Sequence, residues 1–218
     1  MRVSSITTLA GAGLMALSLL ACGAEPAEKA DSGKTAAPPS GDPAAAAASD
    51  SVSGFDGVAG LAWGATREAI VARRGAPTIE REEFEGVKAL GYPHVLLDQP
   101  VILIYFLHPA QGLFRGTYGA QVASVEECER VVSLFESGLA RRFAGVEPAR
   151  SGAAAAGQGR CQAAASGGPG FVETWRSPDG GARVALGLVP GARAVSLTYS
   201  TPAADEWERR KAAASPQR

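Results

Sequence analysis

The composition of one segment predicts that it does not join a folded core, and this limits where the fold is expected to begin. Residues Gly23 to Ser53 are mostly Ala, Pro, Ser, Gly and Asp, with almost no large apolar side chains. Such a segment cannot offset the entropy lost on ordering, so we expect residues 22–53 to be a disordered tether. The sequence predicts a single folded domain over residues 54–202, followed by a charged tail at 203–218 that frays beyond Trp207.

The first 22 residues have the pattern of a bacterial lipoprotein signal. Arg2 provides a short positive region, Leu9 to Leu20 form an apolar run, and a small residue, Ala21, precedes Cys22. The run is shorter than the roughly 20 apolar residues of a transmembrane helix and suits a cleaved leader over residues 1–21. The pattern predicts acylation of Cys22 and a chain that is anchored to a membrane without spanning it. The alternative is an ordinary signal peptide in which Cys22 is incidental.

The residues after this cysteine and the overall charge indicate the surroundings of the protein. Gly23 and Ala24 lack the aspartate associated with inner-membrane retention, so we expect the periplasmic side of the outer membrane rather than the inner membrane. The formal net charge is only −1, which argues against nucleic acid or an anionic bilayer surface as the main partner. We expect another envelope protein as the partner.

Two further cysteines, Cys128 and Cys161, are expected to form a disulfide. An exported protein occupies an oxidising compartment, in which paired cysteines persist as disulfides. The alternative is a pair of buried free thiols. We expect no metal or other cofactor, because His94 and His108 are the only histidines and no Cys-x-x-Cys spacing is present.

Local signals in the first half of the domain predict one helix and a hairpin. Thr66 can cap a short helix that Gly75 ends. The run VILIYFL is apolar on both faces and rich in β-branched and aromatic residues, which is typical of a central strand. The expected elements are a helix at Thr66–Arg74, an exposed ribbon at Thr78–Leu90, a central strand at Val101–Leu107 and its hairpin partner at Leu113–Val122.

The second half begins with a clearer amphipathic helix. Ser124 and Glu127 form a capping-box pattern. The apolar residues that follow recur at spacings of three and four and lie on one helix face: Cys128, Val131, Val132, Phe135, Leu139 and Phe143. Residues Gly145 to Gly170 are rich in Ala and Gly and are expected to form a loop that the disulfide joins to the helix.

Three strands are expected after this loop, at Phe171–Arg176, Arg183–Val189 and Ala194–Ser200. The last two alternate apolar residues with polar or small ones, as in half-buried antiparallel strands. The predicted fold class is therefore α+β, with two helices on one face of an antiparallel sheet in two layers. The order of elements also favours a tandem repeat of a helix–β-hairpin unit.

A short motif at the first helix resembles a known family. Gly64, Thr66, Ile70, Gly75 and Pro77 form the pattern G-x-T-x3-[IV]-x4-G-x-P. This pattern resembles the opening of the BamE-like (SmpA/OmlA) lipoproteins, and also the units of the β-lactamase-inhibitor-protein type. The second helix–strand unit is absent from BamE-like proteins, so the tandem arrangement is nearer the inhibitor type. The resemblance implies a protein-binding surface without catalytic chemistry.

Other candidate sites have simpler structural interpretations. His94 and His108 are candidate general bases, although each is also consistent with a structural or solvated histidine. Glu80, Glu82, Glu83 and Glu85 suggest a carboxylate or calcium site, although their interleaved cations favour a solvated face. The glycines of residues 152–170 follow no strand and open no helix, which argues against a phosphate loop. A set of aromatic residues, Trp63, Trp175, Tyr105, Tyr118 and Tyr199, is expected in the core rather than in a ligand groove.

These observations favour a non-catalytic function. We expect a lipid-anchored envelope lipoprotein that acts as a protein-binding or scaffold module and is not an enzyme. The alternative is an inhibitor of a periplasmic or secreted hydrolase, which a tandem repeat would support. A small hydrolase that uses His94 or His108 is a third hypothesis.

Overall fold

The protein has an α+β fold, which a computed structural model describes for residues 51–152, 159–167, 170–188 and 193–215. The helices in these ranges are α1 (Arg67–Arg74), α2 (Val125–Arg142), α3 (Arg160–Ala165) and α4 (Pro202–Ala214). The strands are β1 (Gly57–Val58), β2 (Leu61–Ala62), β3 (Ile79–Glu82), β4 (Lys88–Leu96), β5 (Gln99–His108), β6 (Gly112–Gln121), β7 (Ala149–Gly152), β8 (Phe171–Arg176), β9 (Arg183–Leu188) and β10 (Ala194–Ser200). The predicted leader, Cys22 and most of the predicted tether lie outside the described residues.

Eight strands form one antiparallel sheet in the order β3-β4-β5-β6-β10-β9-β8-β7, and β1 and β2 form a separate pair. The sheet consists of two four-strand meanders, β3 to β6 and β7 to β10, whose last strands pair with each other. In this central pairing Tyr118 lies opposite Leu197. The predicted α+β class with an antiparallel sheet is confirmed. In the described ranges, no helix has the length and apolarity needed to cross a membrane.

The two helices predicted from the sequence begin and end as their caps require. Thr66 Oγ1 accepts a hydrogen bond from the Ala69 amide, and the helix ends at Gly75, whose φ of 80° suits glycine. Ser124 Oγ accepts a hydrogen bond from the Glu127 amide at 3.1 Å. The Glu127 carboxylate in turn accepts one from the amide of Ala123 at 2.7 Å. The predictions of α1 and α2 are therefore confirmed, and side chains close in sequence cap both helices.

The main core lies where both helices meet the sheet. Ile70 of α1 and Phe135 of α2 are fully buried in one cluster with side chains from most of the strands. The predicted core aromatic residues belong to it: Tyr105, Tyr118, Tyr199 and Trp175 are buried, and Trp63 packs against them partly buried. Burial strongly raises the pKa of the Tyr199 phenol, because it removes the charged form from water.

The packed region begins two residues earlier than predicted. Val52, assigned to the tether from the sequence, is 5% exposed and belongs to the main core. Its methyl group occupies the space over Gly138, where a Cβ would lie 2.7 Å from both Val52 and Leu97. Phe55 then stacks on Phe143 with ring centroids 4.3 Å apart. A glycine on α2 therefore allows the segment that follows the tether to dock.

The prediction of a fraying tail beyond Trp207 is wrong for the described residues, because α4 continues to Ala214. Trp207 is 1% exposed, and its indole Nε1 donates a hydrogen bond to the Phe84 carbonyl at 3.0 Å. Trp207 and Ala204 form a second cluster with Val87, which precedes β4, and with three sheet residues: Ala89, Phe106 and Phe114. Phe106 follows Tyr105 on β5, so its side chain points away from the main core. Helix α4 therefore packs on the opposite face of the sheet.

Ion pairs hold both sides of α4. On one side Asp205 pairs with Arg183 at 2.5 Å, and Glu208 pairs with Arg115. On the other, Lys211 pairs with Glu83 at 2.9 Å and Arg210 pairs with Glu85 at 2.8 Å. The charged composition of residues 203–218 predicts a solvated tail. Ion pairs with residues far away in the sequence instead hold this segment as a helix.

Two other regions differ from the prediction. The ribbon expected at Thr78–Leu90 is divided by a 3-10 turn at Phe84–Gly86, where Glu85 has a φ of 58° and interrupts the strand conformation. The loop expected at Gly145–Gly170 contains β7 and α3. Buried Glu173, which pairs with Arg150 of β7 and Arg160 of α3, stabilises both elements.

Docking of α4 is expected to weaken in acid. Hydrogen bonds from Lys211 and Arg210 hold the pKa values of Glu83 and Glu85 below their ordinary range. Because these pKa values are lowered by folding, the stabilisation is complete above the ordinary glutamate pKa of about 4.3 and is lost as pH falls through the lowered values. We expect the fluorescence of Trp207 to shift to longer wavelength over that range. A Lys211→Ala/Arg210→Ala variant with the same acid profile would contradict this.

Candidate binding surface

The face of the sheet that carries α4 is only partly covered in the described part of the chain. Two rows of residues run across it from strand to strand. One is Ile79, Gly91, Ile104, Thr117, Thr198, Ala185, Thr174 and Ala149; the other is Pro93, Ile102, Gly119, Ser196, Gly187, Val172 and Ser151. We call these two rows the open face. None of its residues is charged, which is unusual for a solvent-facing sheet surface.

Exposed apolar side chains concentrate on this side of the sheet. Ile79 on the edge strand β3 is 42% exposed, and Val172 on β8, next to the opposite edge strand, is 40% exposed; each belongs to one of the two rows. Val95, at 36%, lies two residues from Pro93 on β4 and so points the same way. These three are the large exposed hydrophobic residues among those described. Among the described residues, the large exposed hydrophobic side chains therefore all lie on the side of the sheet that carries the open face.

The open face has small residues in its middle and larger ones beside them. The central strands β6, β10 and β9 contribute Gly119, Ser196 and Gly187 to one row. Ile102 on β5 and Val172 on β8 border that row. Since strands lie about 4.8 Å apart, the two borders are about 19 Å from each other. The result is a shallow trough wide enough for a polypeptide segment.

The trough floor has free space and satisfied hydroxyl groups. A Cβ built on Gly119 meets only the Ile102 carbonyl oxygen, at 3.9 Å, so a larger side chain would project outward. Thr117 and Thr198 are hydrogen-bonded to each other at 3.2 Å, and Ser196 donates to the Gly187 carbonyl at 3.2 Å. The floor is thus uncharged and its hydroxyl groups are hydrogen-bonded within the protein. It is accessible at Gly119 and Ser196, whereas Gly187 is buried beside Val172.

A row of cations borders the open face on the side of α4. Arg176 of β8 lies directly opposite Arg183 of β9, followed by Ser200 and Arg115 on the next strands. Arg183 and Arg115 pair with Asp205 and Glu208 of α4. Arg176 is exposed and forms no ion pair with the described residues. We call Arg176, Arg183 and Arg115 the basic row.

The two histidines do not form a common site. His94 lies on the main-core side of β4, where its Nδ1 is 3.5 Å from Arg74 and its ring approaches Tyr118. It borders a cavity of about 770 Å³ that also reaches Ile102 and Gly119. His108 ends β5, and its Nδ1 accepts a hydrogen bond from the Ala110 amide. Its position suits a turn-stabilising role.

The acidic cluster is neutralised by cations. Glu80 pairs with Arg67 at 2.8 Å and Glu82 pairs with Lys88 at 2.5 Å. Glu83 and Glu85 bind α4, as described above. Within the described ranges, no three His, Cys, Asp or Glu residues are grouped to hold a metal ion. These carboxylates therefore order the surface around β3 and α4.

The predicted disulfide is present. Cys128 of α2 and Cys161 of α3 are bonded, and both are buried. Glu129 strengthens the same junction, because its carboxylate accepts a hydrogen bond from the Cys161 amide at 2.9 Å. This bond lies on the main-core side of the sheet, because both cysteines belong to the main core, and it joins α2 to α3.

The sequence contains one indication of the open face, namely uncharged residues at the outward positions of two strands. The alternation of apolar and polar residues does not reveal it. In β9 and β10 the positions between core residues are Ala185, Gly187, Ser196 and Thr198, where a water-facing strand usually carries charges. Arg176 and Gly119 have no distinguishing local pattern and emerge only from the strand register. Comparison of the chain with models of known families, with curated proteins and with solved structures finds no match.

Proposed function

We propose that this chain is a lipid-anchored envelope lipoprotein whose sheet binds another protein without catalysing a reaction. The observation that carries the proposal is the open face, an uncharged and partly apolar surface that spans all eight strands. Interface centres are typically depleted in charge and enriched in apolar contacts, as this surface is. Acylation of Cys22, followed by the tether, would hold the domain within reach of a membrane partner.

We further propose that the two meanders are tandem copies of one helix–sheet unit. Helix α1 precedes the first meander and α2 precedes the second, and the last strand of each pairs at the centre of the sheet. Ile70 and Val131 from the two helices join one cluster, which is consistent with both helices in one layer. This arrangement would leave the opposite face of both units uncovered by α1 and α2, with α4 over part of it.

Crosslinking from the open face tests the binding function. A photoreactive amino acid at position 119 is expected to crosslink a stoichiometric partner in intact cells. The same amino acid at position 140, on the exposed side of α2, is the matched control and should not. Gly119→Trp should abolish co-purification of the partner while the thermal unfolding midpoint stays unchanged, because there is room above the floor. Equal crosslinking from both positions would contradict the proposal.

Anchoring is tested at Cys22. Cys22→Ser is expected to abolish palmitate labelling and to release the protein from the membrane fraction. The lipoprotein hypothesis would be rejected if the variant stayed in the membrane fraction and neither the variant nor the original protein were labelled by palmitate.

The second candidate function is inhibition of a periplasmic or secreted hydrolase. The paired meanders favour it, because tandem units are typical of the β-lactamase-inhibitor-protein type that the motif at Gly64–Pro77 resembles. The purified chain would then inhibit a hydrolase at micromolar concentration, and Gly119→Trp would remove the inhibition. The absence of inhibition across hydrolase classes would eliminate this alternative.

A further inference from the structure

The basic row contains a charge arrangement that the folded domain does not balance. Arg176 and Arg183 are directly opposite on neighbouring strands, and like charges in such positions destabilise a sheet. Asp205 balances Arg183. Two carboxylates lie three residues from Arg176 in sequence. Glu173 is on the other face of β8 and pairs with Arg150 and Arg160. The Oδ1 atom of Asp179 accepts hydrogen bonds from Ser177 and from the Gly181 amide. In the described part of the chain, Arg176 has no carboxylate partner.

The gaps within residues 51–218 offer no hidden carboxylate side chain for this arginine. The segments 153–158, 168–169 and 189–192 contain no acidic residue in the sequence. The structure does describe every Asp and Glu between residues 51 and 218. An acidic side chain for Arg176 must therefore come from elsewhere than the folded domain.

Arg176 lies on the same side of the sheet as the open face. Val172 of the open face and Arg176 lie on the same side of β8, four residues apart. At about 3.3 Å per residue this is roughly 13 Å along the strand. A segment lying in the trough would therefore bring its next side chains within reach of Arg176. We propose that the open face binds a protein segment that combines aliphatic residues with a carboxylate, and that this carboxylate pairs with Arg176.

Charge complementarity within the molecule supports this assignment. The other two members of the basic row, Arg183 and Arg115, are already paired with carboxylates on an apolar-faced helix, α4. That helix combines buried Trp207 with flanking acidic residues on the same sheet face. The partner would likewise combine apolar contacts with a carboxylate, here paired with Arg176 at the end of the basic row that α4 leaves uncovered. The inference rests on the proposed binding function and specifies the partner's chemistry.

The test selects peptides from a random phage-displayed library on the full chain purified in detergent. Enriched peptides are expected to contain aliphatic residues together with Asp or Glu. Arg176→Glu should weaken the binding of the best synthetic peptide about tenfold, whereas Arg209→Glu, the same charge change at an exposed position of α4, should change it less than twofold. Replacing the peptide's acidic residue by Lys should restore binding to the Arg176→Glu variant.

The outcomes separate this inference from the proposed function. If Gly119→Trp abolishes peptide binding while Arg176→Glu and Arg209→Glu behave alike, the acidic partner is wrong and the open face remains a binding surface. If Gly119→Trp has no effect, or no peptide is enriched, both proposals are overturned. Thermal unfolding of each variant shows that the fold is intact, since both arginines are exposed.

Discussion

Trp207→Ala is expected to lower the free energy of unfolding by about 3–5 kcal/mol, the range for removing a buried large aromatic side chain. The indole fills the space between α4 and the sheet, with ring centroids 6.1 Å from Phe106 and 5.9 Å from Phe114. It is also one of two buried residues on α4, with Ala204, so the helix has little other apolar contact. Urea unfolding monitored by circular dichroism measures the loss.

Two variants control this prediction. Trp207→Phe retains most of the apolar area but loses the hydrogen bond to the Phe84 carbonyl, so we expect a smaller destabilisation, of about 1–2 kcal/mol. Arg209→Ala, at an exposed position on the same helix, should stay within about 0.5 kcal/mol. If Trp207→Ala destabilised no more than Arg209→Ala, α4 would not be docked as described.

Removing the disulfide by Cys128→Ala/Cys161→Ala is expected to lower the free energy of unfolding by about 3.5–4 kcal/mol, from loop entropy. The bond closes a loop with a sequence separation of 33 residues. Replacing both cysteines avoids a free thiol buried opposite an alanine. Chemical denaturation of the oxidised protein and the double variant measures the difference.

The structural consequence of this change should be local. Helix α3 is six residues long, too short to be stable alone, and is held by Cys161 and by the ion pair of Arg160 with Glu136. We expect Arg160–Ala165 to exchange faster than β5 in the double variant, because α3 then opens locally, whereas β5 exchanges through global unfolding and is accelerated only by the loss of global stability. Equal protection of α3 and β5 in the double variant would contradict local opening of α3.

The elements that the sequence predicted correctly depend on residues that are near neighbours in the chain. Ser124 and Glu127 specify the start of α2 because their side chains bond to amides within four positions. The central strand at Val101–Leu107 and the strands Phe171–Arg176 and Ala194–Ser200 follow from their alternation and composition. The disulfide followed from the predicted compartment and the number of cysteines.

The elements that the sequence did not predict depend on partners far along the chain. The sequence predicts a charged tail where α4 forms, because the stabilising partners of this helix, such as Phe84 and Glu85, lie more than one hundred residues away. Strand β7 and helix α3 form in an Ala- and Gly-rich segment because Glu173 and Cys128 bind them from outside it. Composition contains no information on such partners.

By itself, the sequence determined the class of the fold, the two capped helices, the strand-forming segments and the covalent pairing of two cysteines. Only the tertiary structure decided the strand order, and with it the open face. The pairing of β6 with β10 brings Gly119 beside Ser196 across 77 positions of the chain, and it sets Arg176 in a row with Arg183 and Arg115. Which strands become neighbours depends on hydrogen bonds between distant segments, and local preferences do not encode that choice.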